Sequence, residues 1–503
     1  MEIISKKIRT SAIALVSIVS FAATVSAGTI EWTNTTDSTW NDSNNWNPNT
    51  VPNSDADSVL FGAGGFGVTP RTVTLDVDAT VAGITINPGS ISTYFIVGDN
   101  TLTLDSSTGS IAISCAAAGN PPTHQIRPDL KIADPVLATG RLTALMGDIS
   151  GTAGNPDVDF TVDYAVNQRF IMTGNNNFGS GTLHVQGAGT TIVLGDNSTG
   201  GSNTTVRFDE PDTGVISHLQ LQPLAVGGVA QPNGTSYDLL SDFVVEASEA
   251  MIQTSTQGYS DADLSILGYT YYAVYNIGSL TVKAGNTLTF RDVNAGVKLS
   301  ISSGEVAEIQ SGATLLMTDV NNTRSSDLLI ADGAMLRGEG TVLMRLYDPG
   351  RSINDPEVIV QSGGTLAAGS TSGTGILTLG AGTDTNSLVT LQSGAELRVR
   401  VGGTTAGSLY DQVSLAGQLN LTDAILTVVA TSTMQGGQAT IVNSIGPETI
   451  GGTFSGLAEG ATVTFDASGR IGTAKITYVG GNGNDVVLYD LDVPAPGTVI
   501  SVR

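Results

Sequence analysis

The segment Gly480-Gly-Asn-Gly-Asn-Asp485-Val-Val487-Leu has the residue types and spacing of a calcium-binding nonapeptide, Gly-Gly-x-Gly-x-Asp-x-apolar-x. In that motif glycine turns bring backbone carbonyls and an aspartate onto one cation. Calcium asks for about six to eight oxygens, and tandem copies normally share each ion. This chain holds one copy, so Asp485 is a weak candidate ligand for Ca²⁺, and no other cofactor is expected. Asp55-Ala-Asp57 and Asp261-Ala-Asp263 could add carboxylates, but solvated acidic loops are the simpler reading. Trp32, Trp40 and Trp46 are the only tryptophans. Exposed, their rings would stack on sugar faces; buried, they would plug an open end of a β structure. We favour the plug, because open strand edges must be covered.

Other reactive side chains do not assemble on paper. His124, His184 and His218 are far apart in neutral surroundings and suggest neither a triad nor a metal set. Cys115, in Ile111-Ala-Ile-Ser-Cys115, reads as a small buried hydrophobe, since a nucleophile would need a cationic neighbour. Tyr269-Thr-Tyr-Tyr-Ala-Val-Tyr275 could line a glycan groove but alternates like an ordinary strand. A lyase or hydrolase would need clustered carboxylates, or Ca²⁺ with a basic residue, on one face. No distinctive pairing stands out, and no phosphate-binding loop or zinc spacing is found. The sequence names no catalytic residue.

The elements that would position these residues are strands. Of 503 residues, 62 are Gly, and only 13% are charged, with 46 Asp and Glu against 21 Lys and Arg for a net charge of −25. Helical repeat arrays need more Ala, Glu, Lys and Leu, one cysteine makes no disulfide scaffold, and an acidic chain is no counterion-releasing nucleic-acid binder. Arg71-Thr-Val-Thr-Leu-Asp-Val-Asp-Ala-Thr-Val81 and Asn100-Thr-Leu-Thr-Leu-Asp105 alternate with period two. Five segments share apolar-x-x-Gly-x-x-Leu: Val282 to Leu288, Ile309 to Leu315, Ile330 to Leu336, Val360 to Leu366 and Leu391 to Leu397. Each reads as strand, glycine turn, strand, with Gly285, Gly312, Gly333, Gly363 and Gly394 supplying the positive φ. So short a unit must bury its apolar face on neighbours. The period predicts an all-β fold, a right-handed parallel β-helix or solenoid; tandem β-sandwich domains built of meanders are the alternative. Stacked coils explain the low charge, because like charges on successive coils would repel while Thr, Ser, Asn and Gln can form ladders.

A basic start (Lys6, Lys7, Arg9), an apolar run from Ser11 to about Ala23, and Val25-Ser-Ala27 before Gly28 have the layout of a secretory signal peptide cut between Ala27 and Gly28. The apolar run is shorter than the roughly 20 residues of a membrane span, and no later stretch qualifies. The expected organisation is a signal peptide at 1–27, a Trp-containing N-terminal β cap at 28–100, solenoid repeats at 101–430, a C-terminal β region at 431–490 and a flexible tail at 491–503.

Several motifs resemble a known family. Trp32, Trp40 and Trp46 lead through Pro52-Asn53 and Asp57 to Val59-Leu-Phe61-Gly62. Phe170-Ile-Met-Thr-Gly174-Asn-Asn-Asn177-Phe-Gly179-Ser-Gly-Thr182-Leu-His-Val and Gly363-Gly-Thr-Leu-Ala-Ala-Gly-Ser-Thr-Ser-Gly373 follow. Tyr410-Asp-Gln-Val-Ser-Leu-Ala-Gly417, Gly452-Thr-Phe-Ser-Gly-Leu and Tyr478-Val-Gly-Gly complete the set. Together they resemble exported bacterial surface proteins with autotransporter-associated β-strand repeats, which often bear an exosortase-type (PEP-CTERM) sorting tail. The likeness covers most of the mature chain loosely. Val493-Pro-Ala495-Pro has Ala where the tail has Glu, with no membrane helix and basic cluster following, and no translocating barrel is expected after Leu491. The resemblance implies a secreted or cell-surface β-solenoid. Its expected role is structural or adhesin-type, with polysaccharide, other surface proteins or further copies of itself as partners. A polysaccharide-active β-helix enzyme or a glycan-binding module is the alternative.

Overall fold

The computed structural model describes residues 28–495, apart from 63–69, 88–92, 116–123, 142, 166–167, 188, 195–196, 210–215, 223–235, 255–271, 293–295, 320–325, 346–356, 381–387 and 448–449. The export segment with Ala27, the residues from 496 onward, Asp261-Ala-Asp263 and Tyr269–Tyr271 lie outside the described residues. Gly28 opens the first strand, Gly28–Trp32.

The chain is a parallel β-helix. A first sheet stacks fifteen parallel strands from Gly28–Trp32 to Ile425–Ala430. A second runs in parallel from Ser38–Thr39 to Gln438–Ser444. A third face begins with Leu102–Leu104, Leu130–Ile132 and Ile149–Gly151 and resumes from Ser236–Asp238 to Gly451–Thr453. Among the described residues the sole helical element is the 3-10 turn Ser43–Asn45. This parallel pairing is what a coil makes with the next coil, whereas meandering sandwiches pair antiparallel strands; the tandem-sandwich alternative is thereby set aside.

Alternation decides what faces inward. Phe208, Val245, Val282 and Ile309 stack in register on the first sheet, and Leu288, Leu315, Val342, Leu379 and Leu415 on the second. All are buried in one core reaching from Ile30 to Val493. Each inward residue meets its own kind about 4.8 Å away, so the core is built from repeated local contacts.

The glycine repeat occupies two corners, not one. Gly285 and Gly312 turn the chain from the first sheet to the second, between Leu280–Val282 and Thr287–Asp292 and between Val306–Ile309 and Thr314–Asp319. Gly333, Gly363 and Gly394 turn it from the third sheet to the first. The short step between Ile309 and Ile330 is thus a change of corner. The regular series is Gly304, Gly333, Gly363, Gly394 and Asp423, all left-handed. The Gly333 N–H donates to Gly363 O (3.1 Å), Gly363 N–H to Gly394 O (3.0 Å) and Gly394 N–H to Asp423 O (3.4 Å). A Cβ on Gly333 would meet nothing closer than 3.4 Å, so Gly333→Ala is resisted by its φ of 74° rather than by space. That substitution is expected to cost about 1–2 kcal/mol, while Asp423→Gly, at φ 52°, should be neutral or stabilising. Urea unfolding of the two variants compares them directly.

Some exposed or half-buried carboxylates also staple neighbouring coils together. Carboxylates accept backbone N–H groups from a neighbouring coil: Asp78 from Thr101 (2.8 Å), Asp129 from Asp148 (2.9 Å), Asp148 from Asn175 (2.7 Å), Asp159 from Thr182 (3.0 Å) and Asp242 from Ser279 (2.7 Å). Corners leave N–H groups outside the ladders, and an ionised acceptor makes the stronger bond to them. Where the third sheet is interrupted, a buried polar seam replaces it. Asn176 accepts from Ile149 N–H (2.9 Å) and donates to Ser198 O (2.8 Å), and the Thr199 and Ser241 hydroxyls lie 2.8 Å apart.

The ends differ from the expected boundaries. Among the described residues the first strand, from Gly28, already pairs in parallel with Ser54–Phe61 through Gly28 and Asp57, so the tryptophan segment joins the solenoid's first sheet. At the other end, Asp485–Val493 lies antiparallel on Gln438–Ser444, followed outward by Ile471–Gly480 and Thr462–Asp466.

Candidate functional site

The tryptophan segment forms the first coil. The strand Gly28–Trp32 places Trp32 inward, and the 3-10 turn, started by the Asp42 carboxylate on Asn44 N–H (3.0 Å), returns the chain so that Trp46 faces it. Trp46–Asn47 runs antiparallel along Glu31–Trp32. Trp32 and Trp46, and Trp40 and Trp46, meet edge to face with centroids 4.9 Å apart, and Phe61 lies 6.1–6.4 Å from all three. The rings are at most 1% exposed. The indole N–H of Trp40 donates to Pro52 O (3.1 Å) and that of Trp46 to Trp40 O (2.8 Å). In this arrangement no ring offers a face to a sugar. Tyr94 extends the cluster at 5.1 Å from Phe61, and burial, moderated by Arg71 and reinforced by Glu31, pushes its phenol up to about 12.

The calcium-like nonapeptide is a hairpin turn, with Gly480 paired to Asp485. The Asp485 carboxylate accepts Ser444 N–H (2.9 Å), and the Asn484 amide donates to Gly446 O (2.7 Å) and Ser444 Oγ (3.2 Å). Burial raises the Asp485 carboxyl above its ordinary range, and the Ser444 N–H partly opposes that rise. Asp485 thus ties the C-terminal hairpin to the last coil of the second sheet. Among the described residues no three His, Cys, Asp or Glu side chains converge as a metal site. Asp57 accepts Asn53 N–H (3.0 Å), while burial, then Asp134 and Asp55, raise the Asp105 carboxyl.

The histidines stay apart. His124 is inside the helix, its Nδ1 accepting Tyr94 N–H at 3.1 Å. His184 stands on the outer face of the first sheet with Nδ1 2.6 Å from Asp209, which also takes Arg207 Nε at 2.7 Å. Burial pushes the Asp209 carboxyl up, but His184 and Arg207 outweigh it and hold it below its ordinary range. The pair orients His184 as a base would be oriented, yet the Ser217 hydroxyl donates to Asp209 O (2.8 Å) rather than to the ring. Cys115 is buried.

Burial lowers His124 and His218 to about 4, Arg291 adding to the effect at His218. A folded-state value below the unfolded one means that the unfolded chain binds more protons between about pH 6.5 and 4. Stability is therefore present above that window and lost as the pH falls through it, by roughly 3 kcal/mol for one such histidine. His124→Asn, whose side-chain oxygen can accept Tyr94 N–H, is expected to show a smaller drop in urea midpoint from pH 7 to 4.5 than the wild type.

The most heavily bonded polar group was not legible from residue types. Asp411 is 1% exposed and takes Arg400 Nε (2.7 Å), Arg400 Nη2 (3.1 Å), Arg400 N–H (2.9 Å) and Gly375 N–H (2.9 Å). Arg400 also donates to Ser370 O (3.0 Å) and Ala368 O (3.1 Å). This ion pair joins the Gly363–Gly373 segment to Tyr410-Asp411, two motifs that resemblance marked separately. Arg400 itself carried no signal except its place in the alternating Glu396–Val401 strand.

Fold and site define a capped, polar-surfaced parallel β-helix. No protein-family model matches the chain, and no curated sequence matches it.

Proposed function

We propose that the protein is an exported, non-catalytic β-solenoid serving as a structural or adhesin-type component of the cell surface or extracellular matrix. The observation that carries this reading is the unbroken core of fifteen stacked strands, a column about 70 Å long at roughly 4.8 Å per coil. The column repeats its outer chemistry. Thr287, Thr314, Thr341, Thr378 and Ser414 stand in register on the second sheet and are partly exposed. Such a row suits many weak contacts along a polysaccharide or another surface protein, and a stiff column holds them in one line. The test is fractionation of the native cells followed by a glycan-binding and turnover screen with and without EDTA. The expected result is protein at the surface or outside the cell that binds glycan and leaves it uncleaved. Released sugar would replace this reading with a polysaccharide-active enzyme, and binding lost in EDTA would assign calcium a part in it.

A further inference from the structure

On the outer face of the third sheet three charged residues occupy successive coils. Lys298 is in register with Asp327, and Glu357 directly precedes Val358, the partner of Leu328. Lys298 Nζ is 3.0 Å from Asp327 Oδ2, and the side chains are 25% and 12% exposed. The other oxygen, Oδ1, accepts Glu357 N–H at 3.1 Å. Ser300 and Ile359, on the same face two residues further along their strands, are buried, so the pair sits in a shielded strip. Burial raises the Glu357 carboxyl; Thr390 opposes this, Asp327 adds to it and Lys298 opposes it.

We propose that Lys298 and Asp327 condense into an intramolecular isopeptide bond, a covalent rung between adjacent coils. One proton passes from the Lys298 ammonium to Asp327 Oδ2, 3.0 Å away, and the free amine attacks Asp327 Cγ, forming the Nζ–Cγ bond. Charge developing on Oδ1 is met by the Glu357 N–H already aimed at it, which is how backbone donors stabilise such an intermediate. The Cγ–Oδ2 bond breaks, and Oδ2 leaves as water with the two protons that Nζ loses. Ammonium and carboxylate become amide and water, with no oxidant, reductant or further reactant. Fixed juxtaposition supplies the effective concentration that free amine and acid lack, and shielding from water opposes the return reaction.

Intact-mass measurement of the purified full chain tests the bond. The wild type should be lighter than its sequence by one water, and trypsin should leave the segments carrying Lys298 and Asp327 joined. Lys298→Arg, which retains the charge pair and hence the fold, should have the full mass, as should Asp327→Ala. A wild type at full mass after prolonged incubation at neutral pH, or a water loss that persists in Lys298→Arg, would overturn the proposal.

Discussion

Arg400→Met is expected to lower the unfolding free energy by about 3–5 kcal/mol, the size seen when one partner of a buried ion pair is removed. Asp411 would keep Gly375 N–H and Arg400 N–H but lose its counter-charge while 1% exposed. The carbonyls of Ser370 and Ala368 would lose their donor as well. A neighbouring arginine supplies the contrast. Arg398, 44% exposed beside Glu396, should cost less than about 1 kcal/mol on the same change, because solvent already screens it. Urea unfolding of both variants reads the difference. Equal losses would mean that the Arg400–Asp411 pair is no more than a surface contact. Adding Asp411→Asn to Arg400→Met should recover part of the loss, since the stranded charge goes with it.

Trp46→Ala should be comparably severe, about 3–5 kcal/mol for a large aromatic removed from a packed core. Trp46 is the ring that touches both Trp32 and Trp40 at 4.9 Å, and its strand covers Glu31–Trp32. The damage should begin locally, with limited proteolysis cutting first between residues 28 and 61 while the later coils stay protected. An unchanged cleavage pattern with normal stability would show that the ring cluster does not hold the first coil closed. If the rings served a ligand instead, Trp46→Ala would abolish glycan binding without altering proteolysis.

Parts of this were readable from residues alone. Alternation in Arg71-Thr-Val-Thr and the glycine at each turn report local requirements: one face of a strand buried, one residue at positive φ. The same logic misplaced the repeat, because the turns at Gly312 and Gly333 have the same local chemistry at different corners. Asp423 was invisible as a member of the series, since it adopts at φ 52° a conformation the motif assigns to glycine. The nonapeptide match at Asp485 described a turn correctly, while its carboxylate partner, Ser444 N–H, lies 41 residues away.

By itself, the sequence determined that this chain is all-β and built of short glycine-turned strands, with charged residues few enough to suit stacked coils. Those properties depend on backbone preference and on alternation within a few residues. Only the tertiary structure decided that the Gly28–Trp32 strand joins the first sheet, that three tryptophans face inward, that Arg400 closes on Asp411, and that Lys298 meets Asp327. The last of these depends on register between coils roughly 30 residues apart. A slip of one residue would turn every such side chain to the opposite face.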